Sequence, residues 1–372
     1  MMAGITPIIM PKWGLSMKEG TVGGWLVEPG TRITVGMPIL DVETDKIANA
    51  VEAPDAGLLR RKVASEGELL PVKALLGVMA ESDVSDADID AYIAAYVMPA
   101  ADADDAADAG PAYQFVELDG LRIRYARRGA AEGTPVLFIH GFGGDLDNWL
   151  FNIDAIGEKH PVIALDLPGH GQSAAKLPGT SLAALADFVS RFMAVIDVPQ
   201  AHLVGHSVGG AIAAQLALTQ PQRVLSLSLI DSAGFGPDIN TGYTEGFTRA
   251  ASRRELKPVL ELLFKDPTLV SRQMVDDVLK YKRLDGVSEL LEALNSGLFK
   301  DGRQLAQPGL SLAESGKPVL VIWGQDDQIV PAAHAANAPA GATVALFDGV
   351  GHMAQMERAG DVNRLILRHI SD

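Results

Sequence analysis

A serine, a histidine and two adjacent aspartates, far apart in the chain, are the residue types needed to turn a hydroxyl into a nucleophile. Ser207 sits in Gly205-His206-Ser207-Val208-Gly209, between the apolar run Ala201 to Val204 and a helical stretch beginning at Gly210. A G-x-S-x-G pentapeptide at a strand-to-helix junction makes a nucleophile elbow, a strained turn that small neighbours permit and that exposes the hydroxyl. His140-Gly141-Phe142-Gly143-Gly144 follows the apolar run Val136 to Ile139. There the backbone N–H of Phe142, with that of Val208, would face an oxyanion forming on a carbonyl bound at Ser207. Downstream, Trp323-Gly324-Gln325-Asp326-Asp327-Gln328-Ile329-Val330-Pro331 offers two acids, and Gly349-Val350-Gly351-His352 follows the last apolar run. A histidine that accepts the serine proton and a carboxylate that balances the imidazolium complete an acyl-transfer site.

A second reactive group stands in the N-terminal part. Glu43-Thr44-Asp45-Lys46 separates two alternating stretches, Ile39 to Thr44 and Ile47 to Ala53, which places Lys46 alone at the tip of a β-hairpin. A lone amine at such a tip is accessible to a modifying enzyme, although lysine also decorates many ordinary turns.

The elements that must position these groups fall into two regions. Residues 5–81 are rich in glycine and β-branched residues and repeat at an offset of 37: Gly20 matches Gly57, Gly30 matches Gly67, Val35 matches Val72 and Ile39 matches Leu76. Two copies of a short strand unit predict a small all-β sandwich of two similar halves related by pseudo-twofold symmetry. Lys73 stands where the first half has Gly36, a turn position. Residues 82–112 turn to Ala and Asp and read as an acidic linker. Its first part carries a cap-like Ser85 with Asp88 and helically spaced Ile89, Ile93, Tyr96 and Val97, a short helix for docking on its own domain or on a partner.

In residues 113–372, strand-like runs at Val136–Ile139, Val162–Leu165, Ala201–Val204, Leu225–Ile230, Val319–Ile322 and Val344–Phe347 mostly alternate with helical stretches such as Leu182–Val195 and Gly210–Leu218. That predicts a mainly parallel sheet covered by helices on both faces. The interval from about 234 to 312 is too long for one crossover and contains helical segments at Leu256–Phe264, Gln273–Leu279 and Val287–Phe299. It is expected to form a mobile helical cap over the C-terminal edge of the sheet.

Composition narrows the function classes. The chain has 372 residues, enough for two domains, and 48% hydrophobic residues to fill two cores. A net charge of −16 with no basic patch argues against nucleic acid or an anionic membrane surface as partner. No cysteine is present, so disulfides, thiolate metal sites and a cysteine nucleophile are excluded. No apolar run approaches the ~18 residues of a membrane span, and the first residues lack the basic region and long apolar run expected of a secretory leader. The expected location is cytoplasmic.

Residues 5–81 closely resemble the lipoyl domain of 2-oxo-acid and acetoin dehydrogenase complexes. The likeness rests on Met10-Pro11, Gly14, Met17, Glu19-Gly20, Trp25, Gly30, Gly36 and Glu43-Thr44-Asp45-Lys46. It implies lipoate attached to Lys46 by a lipoate ligase. The biotinyl domain shares that fold, but its lysine lies between two methionines, whereas Asp45 and Ile47 flank Lys46. Residues 113–372 resemble the α/β-hydrolase family in the order Ser, Asp, His and in Asp166-Leu-Pro-Gly-His170-Gly-Gln-Ser173. In that family the acid lies just before an Ile-Val-Pro turn, which implies Asp327 rather than Asp326. Asp166, His140, His170 and His206 then read as loop-positioning residues, and Asp231 as a capping residue.

A lipoyl domain joined to an α/β-hydrolase is similar to the acetyltransferase (E2) component of acetoin-cleaving systems. The resemblance implies a thiamine-diphosphate E1 that acetylates the arm, coenzyme A as acceptor and a flavoprotein E3 that reoxidises the arm. Ordinary E2 acyltransferases carry a terminal His-x-x-x-Asp-Gly motif, and no such motif occurs here, nor does a peripheral subunit-binding domain. Two other readings stay open on sequence grounds: a hydrolase of a small ester, thioester or carbon–carbon bond, and a scaffold that docks E1 and E3.

Overall fold

A computed structural model describes residues 4–13, 17–44, 48–99 and 113–371. The chain divides into two compact units, Met1–Gly110 and Pro111–Asp372.

The first unit is a sandwich of two four-stranded sheets. One runs β1 (Ile5–Ile9), β8 (Leu75–Ala80), β6 (Gly57–Lys62), β3 (Arg32–Ile33); the other runs β5 (Ala48–Glu52), β4 (Pro38–Glu43), β2 (Glu19–Trp25), β7 (Leu69–Pro71). Exchanging the two halves of the unit carries β1, β8, β6 and β3 onto β5, β4, β2 and β7 in the same spatial order, which is the symmetry the sequence repeat predicts. Inward-facing Val22, Ile33, Ile39, Leu40, Val42, Leu59 and Leu76 are wholly buried between the sheets. In β4–β5 Glu43 pairs with Ala48, so four residues, Thr44 to Ile47, connect the two strands. Lys46, with Asp45 and Ile47, lies outside the described residues.

The departure at Lys73 has a backbone cost. Gly36 adopts φ +80° and Lys73 keeps the same left-handed turn at φ +71°. Its N–H donates to Met10 O and its carbonyl accepts from Tyr96 Oη–H. A side chain in that region costs ~1–2 kcal/mol, of which glycine returns ~0.5–1 as extra unfolded-state freedom. Lys73→Gly is therefore expected to stabilise this unit by about 0.5–1 kcal/mol. An unchanged or lower denaturant midpoint for its unfolding transition would contradict this.

Helix α1 (Asp86–Ala95) begins at Ser85, whose Oγ accepts from Asp88 N–H. It lays buried Ile89 against Val78 and Ala80 of the same unit, and Asp86 pairs with Arg60 at 2.9 Å.

The second unit is built on an eight-stranded sheet. Its order is β18 (Thr343–Phe347), β17 (Val319–Gly324), β14 (Val224–Ile230), β13 (Ala201–His206), β11 (Val136–Ile139), β12 (Pro161–Leu165), β10 (Leu121–Gly129), β9 (Gln114–Leu118). The first six are parallel, and the runs of β11, β12, β13, β14 and β17 are buried almost throughout, as in a sheet covered on both faces. The antiparallel pair β9–β10 adds a mixed edge that the apolar runs did not reveal. Helices α2 (Ile153–Gly157), α3 (Leu182–Val195) and α4 (Val208–Thr219) belong to the crossovers. From β11 the chain goes to β12 on one side and then to β13 on the other, so loops diverge at the C-terminal ends of β11 and β13. Crevices at such a switch point are where open α/β sheets place ligands.

Between β14 and β17 lie α5 (Thr241–Arg249), α6 (Arg253–Glu261), α7 (Arg272–Lys282), α8 (Val287–Leu298) and the short pair β15 (Phe299–Lys300) and β16 (Arg303–Gln304). Tyr281 Oη–H donates to Gly169 O at 2.6 Å and buried Lys282 caps the end of α5 through Phe247 O, so these helices are tied to the loops beneath and to each other. Helices α9 (Ala354–Glu357) and α10 (Ala359–Ser371) close the chain. Among the described residues no helix is long and apolar enough to cross a membrane.

Candidate active site

Ser207 occupies the turn between β13 and α4 with φ +54° and ψ −122°, a conformation L-residues avoid. The fold holds it there by bonds on both sides of the residue: Ser207 N–H donates to Ile230 O and Ala233 N–H donates to Ser207 O, each at 3.0 Å. The flanking glycines are required by close approach. A Cβ on Gly205 would stand 2.5 Å from Gly209 O, and one on Gly209 would stand 2.1 Å from Ile139 O. The pentapeptide therefore encodes the fit of three strand ends against the helix start.

His352 and Asp327 meet across the loops after β18 and β17. Nδ1 of His352 lies 2.7 Å from Asp327 Oδ2, and both side chains are buried. The remaining capacity of the carboxylate is filled: Oδ1 accepts from Ile329 N–H at 2.8 Å and Val330 N–H at 3.0 Å, and Oδ2 also accepts from Trp323 Nε1–H. The Ile-Val-Pro turn thus orients the acid. Burial alone would depress the imidazole, but the charge and hydrogen bond of Asp327 outweigh it, with Asp231 and Glu357 adding, and His352 is raised above its ordinary value. Asp326 points elsewhere, pairing with Lys265 at 2.7 Å and accepting from Gly349 N–H.

Ser207 and His352 open on one cavity of about 90 Å³, lined also by Phe142, Tyr243, Phe247, Met274 and Met356. That space is small beside the ~300–1,000 Å³ of pockets for drug-sized ligands, which suits a short acyl group. Val208 is the first residue of α4, so its N–H has no acceptor within the helix. The loop after β11 is clamped at the peptide beyond Phe142: Tyr243 Oη–H donates to Phe142 O at 3.1 Å and Gly143 N–H donates to His170 Nε2 at 3.2 Å. Sequence reasoning did not find Tyr243, because it comes from α5, 101 residues away.

His140 and His170 serve this scaffold. His140 accepts from Leu167 N–H at Nε2 and donates from Nδ1 to Gly141 O, which fixes its tautomer and joins the loops after β11 and β12. Burial holds His140 well below the ordinary histidine range and pushes His170 down to about 4, so both stay neutral. Asp166 binds Arg124 through two hydrogen bonds and accepts from Leu146 and Gln172 N–H. Asp231 is wholly buried and bridges Gly324 N–H and Ala354 N–H, tying the acid loop to the start of α9. Among the described residues no group of His, Asp and Glu could hold a metal ion.

Comparison with known proteins follows this division of the chain. A family model of the alpha/beta hydrolase fold matches residues 134–359, and one for biotin-requiring enzymes, of the biotin/lipoyl type, matches residues 6–79. The dihydrolipoyllysine-residue acetyltransferase component of the acetoin cleaving system from Cupriavidus necator is 66% identical over 98% of this chain and 97% of its own length. Its counterpart from Pseudomonas putida is 47% identical over 98% of each. Among solved structures, a meta-cleavage product hydrolase from Pseudomonas fluorescens IP01 matches with a TM-score of 0.62 and 25% identity, over 69% of this chain and 97% of that one.

Proposed function

The chain belongs to the family of dihydrolipoyllysine-residue acetyltransferase components of acetoin cleaving systems, and from that premise we propose that Lys46 bears the lipoyl group and that Ser207, His352 and Asp327 pass its acetyl load to coenzyme A. The observation that carries this reading is the union in one chain of a lipoyl-type sandwich with an acid–imidazole pair and a strained serine on one small cavity.

The residues present fit a lipoyl group. Paired Glu43 and Ala48 bound a four-residue connection that contains Lys46, short enough for a ligase to read as one local epitope. Once attached, the group supplies a thiol that holds acetyl as a thioester. Everything after that is chemistry of this chain's own side chains, for which the acylated arm is a substrate.

Ser207 Oγ attacks the thioester carbonyl while His352 Nε2 takes the hydroxyl proton, and Asp327 balances the imidazolium. The N–H groups of Phe142 and Val208 hold the oxyanion, each such donor contributing ~10²–10³ in rate. The C–S bond then breaks, His352 returns its proton to the departing thiolate, and acetyl remains on Ser207 as an ester. The thiol of coenzyme A next gives its proton to His352 and attacks that ester. A new C–S bond forms, the C–O bond breaks, and Ser207 regains its proton. Because one thioester is exchanged for another, no electrons change hands here. Loading of the arm falls to a thiamine-diphosphate E1, and reoxidation of its thiols to a flavoprotein E3.

Intact-mass measurement tests the proposal. Incubation with lipoate ligase and lipoate, then with E1 and acetoin, is expected to add first a lipoyl and then an acetyl mass, both mapping to residues 5–81. Absence of the first gain, or its persistence in Lys46→Arg, would refute the assignment of Lys46.

A further inference from the structure

The backbone around His352 is held from two sides. Gly351 N–H donates to Glu357 Oε1 at 2.9 Å, and the Met353 backbone bonds the same carboxylate. The other oxygen, Oε2, accepts from Lys265 N–H at 2.9 Å, at the end of the cap segment that follows α6. His352 N–H itself donates to Leu263 O in that segment at 2.9 Å, and His352 O accepts from His206 Nε2–H at 2.7 Å. Gly351 allows the cap backbone to come so near: a Cβ there would stand 2.6 Å from Lys265 N.

We propose that Glu357 is a positioning residue for His352, clamping the loop 351–353 to the cap segment 263–265 so that the imidazole is aimed only when that segment is seated. The proposal rests on the assignment of Ser207 and His352 made above. Leu263 and Phe264 also line the cavity, so an acyl group packed against them rests on the segment that holds the histidine. Occupancy of the cavity and aim of the base are thereby coupled through one stretch of backbone. Asp327, Asp231 and Glu357 are the carboxylates acting on His352, and His206 faces it 4.8 Å away as a neutral ring.

The test uses the full chain and 4-nitrophenyl acetate as a probe of serine acylation. Glu357→Gln keeps one acceptor but loses the second and the charge. Its kcat is expected to fall about 10- to 100-fold, the scale of an ångström of misplacement, with KM little changed. Removing a negative neighbour also moves the acid limb of kcat/KM to lower pH. Gly351→Ala pushes the cap segment away and leaves the charge, so kcat falls while the acid limb stays; this variant carries the test should Glu357→Gln not fold. Wild-type kcat in both variants, or a lower melting temperature with an unmoved acid limb in Glu357→Gln, would overturn the proposal. Turnover that survives in Ser207→Ala would instead remove the underlying assignment.

Discussion

Ser207→Ala is expected to slow transfer of acetyl from the loaded arm to coenzyme A by at least ~10³-fold, the scale seen when a triad nucleophile is removed while its oxyanion donors remain. The substitution is mild for the fold. Alanine meets the same backbone penalty at φ +54° as serine, and the bonds that fix the elbow run through backbone N–H and carbonyl groups. On the proposed mechanism, what disappears is the covalent station. Without it the coenzyme A thiol would have to attack the thioester of the arm directly, and two long chains would have to meet at a cavity of about 90 Å³. Rapid-quench single turnovers with a labelled acetyl group measure the step. In the absence of coenzyme A, the wild-type chain is expected to accumulate label on Ser207 and the variant none. A wild-type transfer rate in the variant would make the serine a bystander and direct thiol exchange the mechanism.

Much of this site can be read from sequence because its signals are local. The elbow needs small residues within two positions of Ser207, and the parallel strands are long apolar runs, so both appear in a short window. The offset of 37 likewise reports the exchange symmetry of the two sheets. The strands β9 and β10 escape that window because Arg122, Arg124, Arg127 and Arg128 interrupt the apolar pattern, although Arg124 is itself buried against Asp166. Helix α5 is hidden for another reason. Gly242, Gly246 and three threonines give it poor intrinsic helix propensity, and it forms because Tyr243 and Phe247 are buried beside Phe142. Glu357 and Tyr243 act on backbone groups 92 and 101 residues away, a relation that spacing cannot encode.

Asp231 shows how environment separates two carboxyls of the same type. It is buried, and burial with the nearby charge of Asp327 pushes it up to about 8, while two backbone N–H groups resist the shift. Asp327 instead faces an imidazole and receives three further donors. Burial and the Asp327 charge thus work against a charge on Asp231, whereas the Ile-Val-Pro turn and the Trp323 indole surround Asp327 with donors beside His352.

That division sets the expected result for Asp327→Asn, a loss of about 10⁴-fold in the rate of Ser207 acylation. The amide keeps the volume of the acid, but its NH₂ group cannot replace every acceptor function. Either Nδ1 of His352 loses its acceptor and the ring turns to the wrong tautomer, or the Ile329 and Val330 N–H groups lose theirs and the turn distorts. Asp231 cannot take over without releasing Gly324 and Ala354 N–H, which would unfasten the loops that carry the acid and the base. The pH profile supplies an independent reading. On the proposed mechanism acylation requires neutral His352, so activity falls as pH drops through its pKa, and Asp327 raises that pKa against the opposing effect of burial. With the charge gone, burial dominates, and the residual activity of the variant should persist to lower pH than that of the wild type. Stopped-flow acylation with 4-nitrophenyl acetate across pH 4 to 9 measures both quantities. An acid limb that stayed in place, or a loss of less than about tenfold, would show that a different carboxylate serves His352.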